Sequence, residues 1–415
     1  MSASTASRPP STFASDSKVI TLVGVAHAVS HFFHLILAPL FPWLKDDFGV
    51  SYAELGMLMT VFFVVSGVGQ ALAGFVVDRV GARAVLFAGL GLLGVSALVL
   101  SQAQNYWMLL FGAAIAGLGN SVFHPADFTL LNKRVSTTRL GHAFSVHGIT
   151  GNLGWVAAPI FLIPLTELFG WRAALAGAAL IPAAVLLLLY LNRGLLEGGE
   201  ARPRHAAGPA AADAHALAFL RLPGVWMCML FFFIIAMALG GIQNFAVPAL
   251  RDMYGVTLAA ATAGYTAFML ASAVGMVLGG FIAARATRHE RTIAIAFAAS
   301  GMFALLIASG LLHGLAAVAL MAAVGFGSGV AGPSRDLMIR DAAPANATGR
   351  VYGVVYSGLD VGLAGAPLMF GALMDAGQPA WLFVCVGILN CAAVLAAVGV
   401  GTRTVRVPAA TQAAG

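Results

Sequence analysis

The sequence predicts an all-α membrane protein: twelve transmembrane helices in two pseudo-symmetric six-helix bundles. Three observations carry this. Of the 415 residues, 60% are hydrophobic and only 9% are charged, against about 25% charged in a soluble domain. Landmarks recur at a fixed offset of 208 residues: Gly117 with Gly325, Pro125 with Pro333, Gly141 with Gly349, Gly154 with Gly362 and Pro159 with Pro367. With both termini placed inside, all of the 22 Lys and Arg residues except Lys45, Arg172 and Arg251 fall on the inner side or in the tails. That is the positive-inside bias.

Taken in order, residues 1–19 are Ser/Thr/Ala/Pro-rich, with no apolar stretch before a cleavage site. They are expected to form a disordered cytoplasmic tail. The first bundle, 20–191, holds spans 1 to 6 at 20–44, 51–77, 84–101, 105–130, 139–165 and 171–191. Each is close to the length that crosses a bilayer core, about 20 residues. The stretch 192–222, with GGEARPRHAAGPAAADAH, is the long polar interruption and reads as a flexible cytoplasmic linker. The second bundle, 223–400, holds spans 7 to 12 at 223–250, 258–283, 291–309, 313–338, 349–373 and 378–400. Residues 401–415 form a second tail.

Several classes are excluded. One soluble core of this length needs a polar shell that these residues do not supply. The net charge of +6 sits in short gaps between apolar runs, so nucleic acid is not an expected partner. Cys228, Cys385 and Cys391 lie in apolar runs without metal-ligand spacing. No nucleophile–base arrangement or phosphate-cradling loop suggests an enzyme, and no cofactor is expected. No ATPase module is present, so transport would draw on an ion or substrate gradient.

Between spans 2 and 3, GFVVDRVGAR places Gly74, Asp78, Arg79, Gly81 and Arg83 as in the signature of the major facilitator superfamily, which the chain resembles. After span 8, GFIAARATRHER is an eroded second copy that lacks the aspartate. The resemblance implies two six-helix bundles around a central cavity that opens to alternate sides. A narrower likeness lies in GLGNSVFHPA of span 4 and HGITGNLG of span 5, which resemble the fosmidomycin-resistance group of exporters. That likeness implies proton-driven efflux of a small, often anionic, compound. Here Ala126 and Asp127 follow the proline, where that group more often carries a small residue.

The candidate residues follow from polar groups inside apolar spans, which are costly unless they face protein or water. Span 1 carries His27, His31 and His34 on one helical face. His31 is read as a substrate or proton ligand. With no cysteine or carboxylate beside them on this helix, no metal site is expected. Span 4 carries His124 and Asp127; Asp127 is read either as a proton carrier or as a gate paired with Arg139 or Arg350. Arg335 of span 10 stands at the repeat position of Asp127 and suits an anionic group. Span 11 carries Tyr352, Tyr356 and Asp360 on one stripe, and Asp360 is the first choice for proton coupling. His147, Asn152 and Trp155 of span 5, with Gln243 and Asn244 of span 7 and Tyr356, complete the expected substrate wall. Asp78, Arg79 and Arg83 are read as a charge lock for the outward-facing state, with Arg139 and Arg350 beside it.

The expectation is therefore a proton-coupled secondary transporter, exporting a small polar or anionic compound by alternating access. Uptake of an organic acid or related anion is the alternative, and an intramembrane enzyme a more distant one. The expected setting is the bacterial inner membrane, with lipid, protons and substrate as partners and a monomeric chain.

Overall fold

A computed structural model describes residues 12–197, 223–286, 288–342 and 348–404. Among these residues, twelve helical stretches are long and apolar enough to cross a membrane, as expected. They are Phe13–Phe48, Tyr52–Val80, Ala82–Ser101, Tyr106–Arg134, His142–Phe169 and Trp171–Leu191, then Pro223–Tyr254, Leu258–Ala283, His289–Ala308, Gly314–Arg335, Ser357–Asp375 and Ala380–Gly399. The fold is all-α. Below, the linker end is the end of the molecule at which span 6 stops and span 7 starts; the far end is the opposite one.

The two sets of six spans pack in matching ways. Span 1 lies on span 5 as span 7 lies on span 11; span 2 meets span 4 as span 8 meets span 10; span 3 meets span 6 as span 9 meets span 12. Glycines at the 208-residue offset make several of the close approaches. A Cβ on Gly154 would stand 2.1 Å from the Ala28 carbonyl oxygen, and one on Gly362 would stand 2.6 Å from that of Phe233. Likewise Gly117 lies against the Phe62 backbone and Gly325 against that of Phe268. Without an apolar driving force between helices in lipid, such backbone contact is what packing rests on.

Two spans are broken, each next to a polar group. Span 1 runs as a helix over Phe13–His34, then turns through Ala38–Leu40 into Phe41–Phe48. Pro39 and Pro42 lack the amide hydrogens that a continuous helix needs. Span 4 is two helices, Tyr106–Asn120 and Phe123–Arg134, separated at Ser121 and Val122. Pro125 donates nothing to the carbonyl four residues before it, that of Ser121, which accounts for a break at this place.

The ends differ from the sequence expectation in two places. Span 1 begins at Phe13, inside the stretch assigned to a tail, and Asp16 is fully buried. The Asp16 carboxylate accepts from the Ser136 amide at 3.1 Å and from Arg139 Nε at 2.8 Å. The expected linker also starts late. Arg193–Leu196 forms a helical turn, Leu196 is buried, and Arg134 Nε donates to the Leu195 carbonyl at 2.7 Å. The rest of that linker, 198–222, lies outside the described residues.

Spans of the two sets meet where span 2 crosses span 11 and span 5 crosses span 8. At the far end the Asp375 carboxylate accepts from the Tyr52 amide at 2.7 Å and the Ala53 amide at 2.8 Å. These are the first two amides of span 2, which a helix cannot satisfy from within. An acid from span 11 therefore caps a helix of the other set and sits at its positive dipole end. Phe245 of span 7 packs on Phe41 and Tyr52 beside it.

The packing rule gives a direct test. Gly154→Ala should lower the melting temperature of the detergent-purified protein, because overpacking against a backbone costs roughly 1–3 kcal/mol. Gly148→Ala, at a position with nothing within 4 Å of the added carbon, should leave it unchanged or slightly raised.

Candidate functional site

The histidine stripe of span 1 meets the break in span 4 and a glycine-rich face of span 5. At the centre is Asp127, whose side chain has no exposed surface. Its Oδ2 lies 3.2 Å from His27 Nδ1 and 3.1 Å from His147 Nε2. The His147 contact is a hydrogen bond; the His27 contact is an ion-pair distance without hydrogen-bond alignment. The two imidazoles stack, with ring centroids 3.5 Å apart. A carboxylate at bilayer depth costs at least ~2.5 kcal/mol when unpaired, and here two rings from neighbouring spans surround it.

The cluster continues along span 1. His31 lies 4.5 Å from His27, 4.7 Å from His34 and 4.4 Å from Trp155, measured between ring centroids. Trp155 Nε1 donates to His34 Nδ1 at 3.3 Å. His124 Nδ1 donates to Gln70 Oε1 of span 2 at 2.8 Å, because an amide oxygen only accepts. Beside the break in span 4, Ser30 Oγ donates to Asn120 Oδ1 at 2.6 Å, and Asn120 Nδ2 donates to Ser66 Oγ at 2.8 Å. Spans 1, 2, 4 and 5 are thus joined by one polar network. It holds His31, His124, His147, Trp155 and Asp127 of the expected set, together with Gln70, Asn120, Ser30 and Ser66, which the sequence reading passed over. A buried Asn at the end of a glycine run was the available signal.

Room for these rings comes from Gly151. A Cβ there would stand 2.8 Å from His31 Nδ1 and 3.2 Å from His27 Nε2. Any larger residue would press on both rings.

Other expected residues lie apart. Asn152 reaches across to span 8, with Nδ2 3.9 Å from Met276 Sδ. Gln243 and Asn244 are buried nearer the far end, where with Tyr265 they line a cavity of about 20 Å³. Arg335 lies over the Phe232 ring of span 7 at 5.0 Å. It therefore packs against span 7 as its repeat partner Asp127 packs against span 1. Asp360 stands at the crossing of spans 2 and 11, its Cβ 3.4 Å from where a Gly67 Cβ would be. It has no ion-pair partner among the described residues. The side chains of Arg350, Tyr352 and Tyr356 lie outside the described residues.

The basic residues expected at the gate have these partners. Arg139 pairs with Asp16 rather than Asp127; Asp127 is held farther in by its two histidines. Arg83 pairs with Glu197, just beyond span 6. Together they line a cleft of about 260 Å³ with Lys133 and Arg134. Asp78 and Arg79 are exposed at the same turn.

The model of the Major Facilitator Superfamily matches residues 23–367 and 242–414. YfnC of Bacillus subtilis, described as an uncharacterized MFS-type transporter, is 25% identical over 274 residues, 64% of this chain and 65% of that protein. The Staphylococcus aureus protein NarT, described as a probable nitrate transporter, is 25% identical over 172 residues, 41% of this chain and 44% of that protein. The matched region thus spans less than two thirds of either relative. A bacterial homolog of the human lysosomal transporter Spinster, solved inward-facing and occupied, has a TM-score of 0.71 at 15% identity, covering 95% of this chain and 97% of that one. Its inward-facing, unoccupied structure has a TM-score of 0.67 at 14% identity, with the same coverage.

The Arg83 contact carries a pH prediction. The adjacent guanidinium holds the Glu197 carboxyl below the usual carboxylate range. A depressed acid stabilises above its ordinary value, and that contribution is lost as pH falls through the held value. Hydrogen-exchange protection of residues 193–197 should therefore drop below about pH 4. In Glu197→Gln it should be low at neutral pH and insensitive to acid.

Proposed function

The chain belongs to the Major Facilitator Superfamily, and from that premise we propose that it is a proton-coupled secondary transporter exporting a small polar or anionic compound. It spans its membrane many times, and transport rather than catalysis is its activity. The proposed moving bodies are 20–191 and 223–400, joined by the linker, with both termini on the cytoplasmic side of a bacterial inner membrane. Alternating access is then a rocking of one body on the other about the crossings of span 2 with span 11 and span 5 with span 8.

One observation supports the coupling role most directly. Asp360 is an acid in a spanning helix, at the seam between the two bodies, without an ion-pair partner among the described residues. Asp127 is less suited, since two imidazoles already share its Oδ2. On this reading Asp360 takes up and releases the proton, while cargo meets His31, His124, His147, Asn152 and Trp155 from one body and Arg335, Gln243 and Asn244 from the other. The guanidinium of Arg335 has a fixed donor fork, which favours an anion. Export is favoured by the likeness of GLGNSVFHPA and HGITGNLG to the fosmidomycin-resistance exporters.

A second reading, uptake of an anion, is favoured by the relation to the protein described as a probable nitrate transporter. Flux in proteoliposomes under an imposed pH gradient, of either sign, separates the two with a panel of anions. Net anion movement down the proton gradient marks uptake by symport, and movement against it marks export by exchange.

Two outcomes are expected in the same vesicles. Asp360→Asn should abolish proton-driven accumulation while retaining substrate exchange across equal pH; accumulation at the unaltered rate would remove Asp360 from the coupling step. Asp375→Ala should leave the first amides of span 2 uncapped, at a cost of roughly 1 kcal/mol. A cysteine at a far-end site should then label severalfold faster with an impermeant maleimide.

A further inference from the structure

We propose that His27, His31 and His124 form a binding site for a divalent first-row metal ion of the zinc class. One ring nitrogen from each of the three lies within 4.8 Å of the others. Span 1 alone offers no such site, since its own histidines have no carboxylate beside them on that helix. The third ligand comes from span 4, brought in by the helix break.

The ring orientations suit the purpose. His124 has Nδ1 engaged by Gln70, which leaves Nε2 with its lone pair. His27 turns Nδ1 toward Asp127 and Nε2 toward the gap at Gly151. His31 turns Nδ1 into the same gap, and that buried atom has no hydrogen-bond partner. Ligating histidines almost always hold the other ring nitrogen on a carboxylate, amide or carbonyl, which fixes the tautomer. Gln70 fills that outer place for His124 by a hydrogen bond, and Asp127 lies 3.2 Å from His27 Nδ1, near enough to fill it on a small ring rotation.

A second grouping, His27 with Asp127 and His147, is also close enough. It is the poorer candidate, because both histidine nitrogens already lie at 3.1–3.2 Å from one oxygen of Asp127. For the first grouping the required movement is small. Two nitrogens on a tetrahedral zinc stand about 3.4 Å apart, for a Zn–N bond of about 2.1 Å. The widest pair would close by at most about 1.4 Å, within reach of side-chain rotation. Imidazole donors without thiolate suit zinc, cobalt and nickel, and do not suit magnesium or calcium.

Bound metal would join the lower piece of span 4, Phe123–Arg134, to span 1 across the break. The site shares His31 and His124 with the proposed cargo wall, so metal binding is read without cargo; it stands or falls separately from the coupling role of Asp360.

The test is binding of Zn²⁺ and Co²⁺ to the full-length protein, purified in detergent after chelation and dialysis. One equivalent of Zn²⁺ should bind and raise the melting temperature. Co²⁺ should give a visible d–d band of a nitrogen- and oxygen-ligated, low-coordinate ion without a thiolate charge-transfer band. Gln70→Ala should weaken binding roughly 10–100-fold. His31→Ala and His124→Ala should each weaken it at least as much. The exposed His142→Ala should leave affinity unchanged. Gly151→Ala checks the geometry without removing a ligand, and it should also lose affinity. If Zn²⁺ fails to bind the unaltered protein, or binds the His31→Ala and His124→Ala proteins as well as it binds the unaltered one, the site does not exist.

Discussion

Asp127 sets the terms for the first half of the molecule. A carboxylate without exposed surface, in a helix that crosses hydrocarbon, needs partners from other helices. The ones available are His27 of span 1 and His147 of span 5. Placing them fixes the faces that these spans turn inward. It draws His31 and His34 along the same stripe, and it requires span 5 to carry glycine where the rings meet. Gly151 and Gly154 make that approach possible, the one against imidazoles and the other against the Ala28 carbonyl. A polar centre and close helix packing are in this way one requirement met twice.

The corresponding place in the second half is built differently. Arg335 occupies the repeat position of Asp127 and lies over Phe232 rather than among histidines. The backbone contacts repeat, with Gly362 on span 7 and Gly325 on span 8, while the side-chain chemistry does not. Architecture is held in common by the halves, and the polar interior has been divided between them. One half holds an acid–imidazole centre and the other a guanidinium, with Asp360 at the seam between spans 2 and 11.

Much of the fold was legible in the sequence because spanning helices depend on local composition. Twelve apolar stretches and paired glycines require no knowledge of distant contacts. The span breaks were less legible; Pro39, Pro42 and Pro125 mark them, yet proline also occurs inside continuous helices here, as at Pro159 and Pro367. Partner identity was the part that could not be read. Arg139 finds Asp16 across 123 positions and Asp375 finds Tyr52 across 323. Asp16 looked like part of a tail because its neighbours are Ser, Thr and Pro, and nothing local reveals that it is fully buried. The three histidines of span 1 were legible as a stripe, but their fellow ligand His124 enters only through the tertiary fold.

The cap at the far end has a consequence for cycling. When the Asp375 carboxylate leaves span 2, it and the two freed amides enter water together, and each finds a new hydrogen-bond partner at once. Parting this contact strands no polar group, unlike parting the Asp127 cluster in the hydrocarbon interior. On the proposed alternating access, a contact fastened at this exposed end rather than in the apolar middle lowers the cost of parting it.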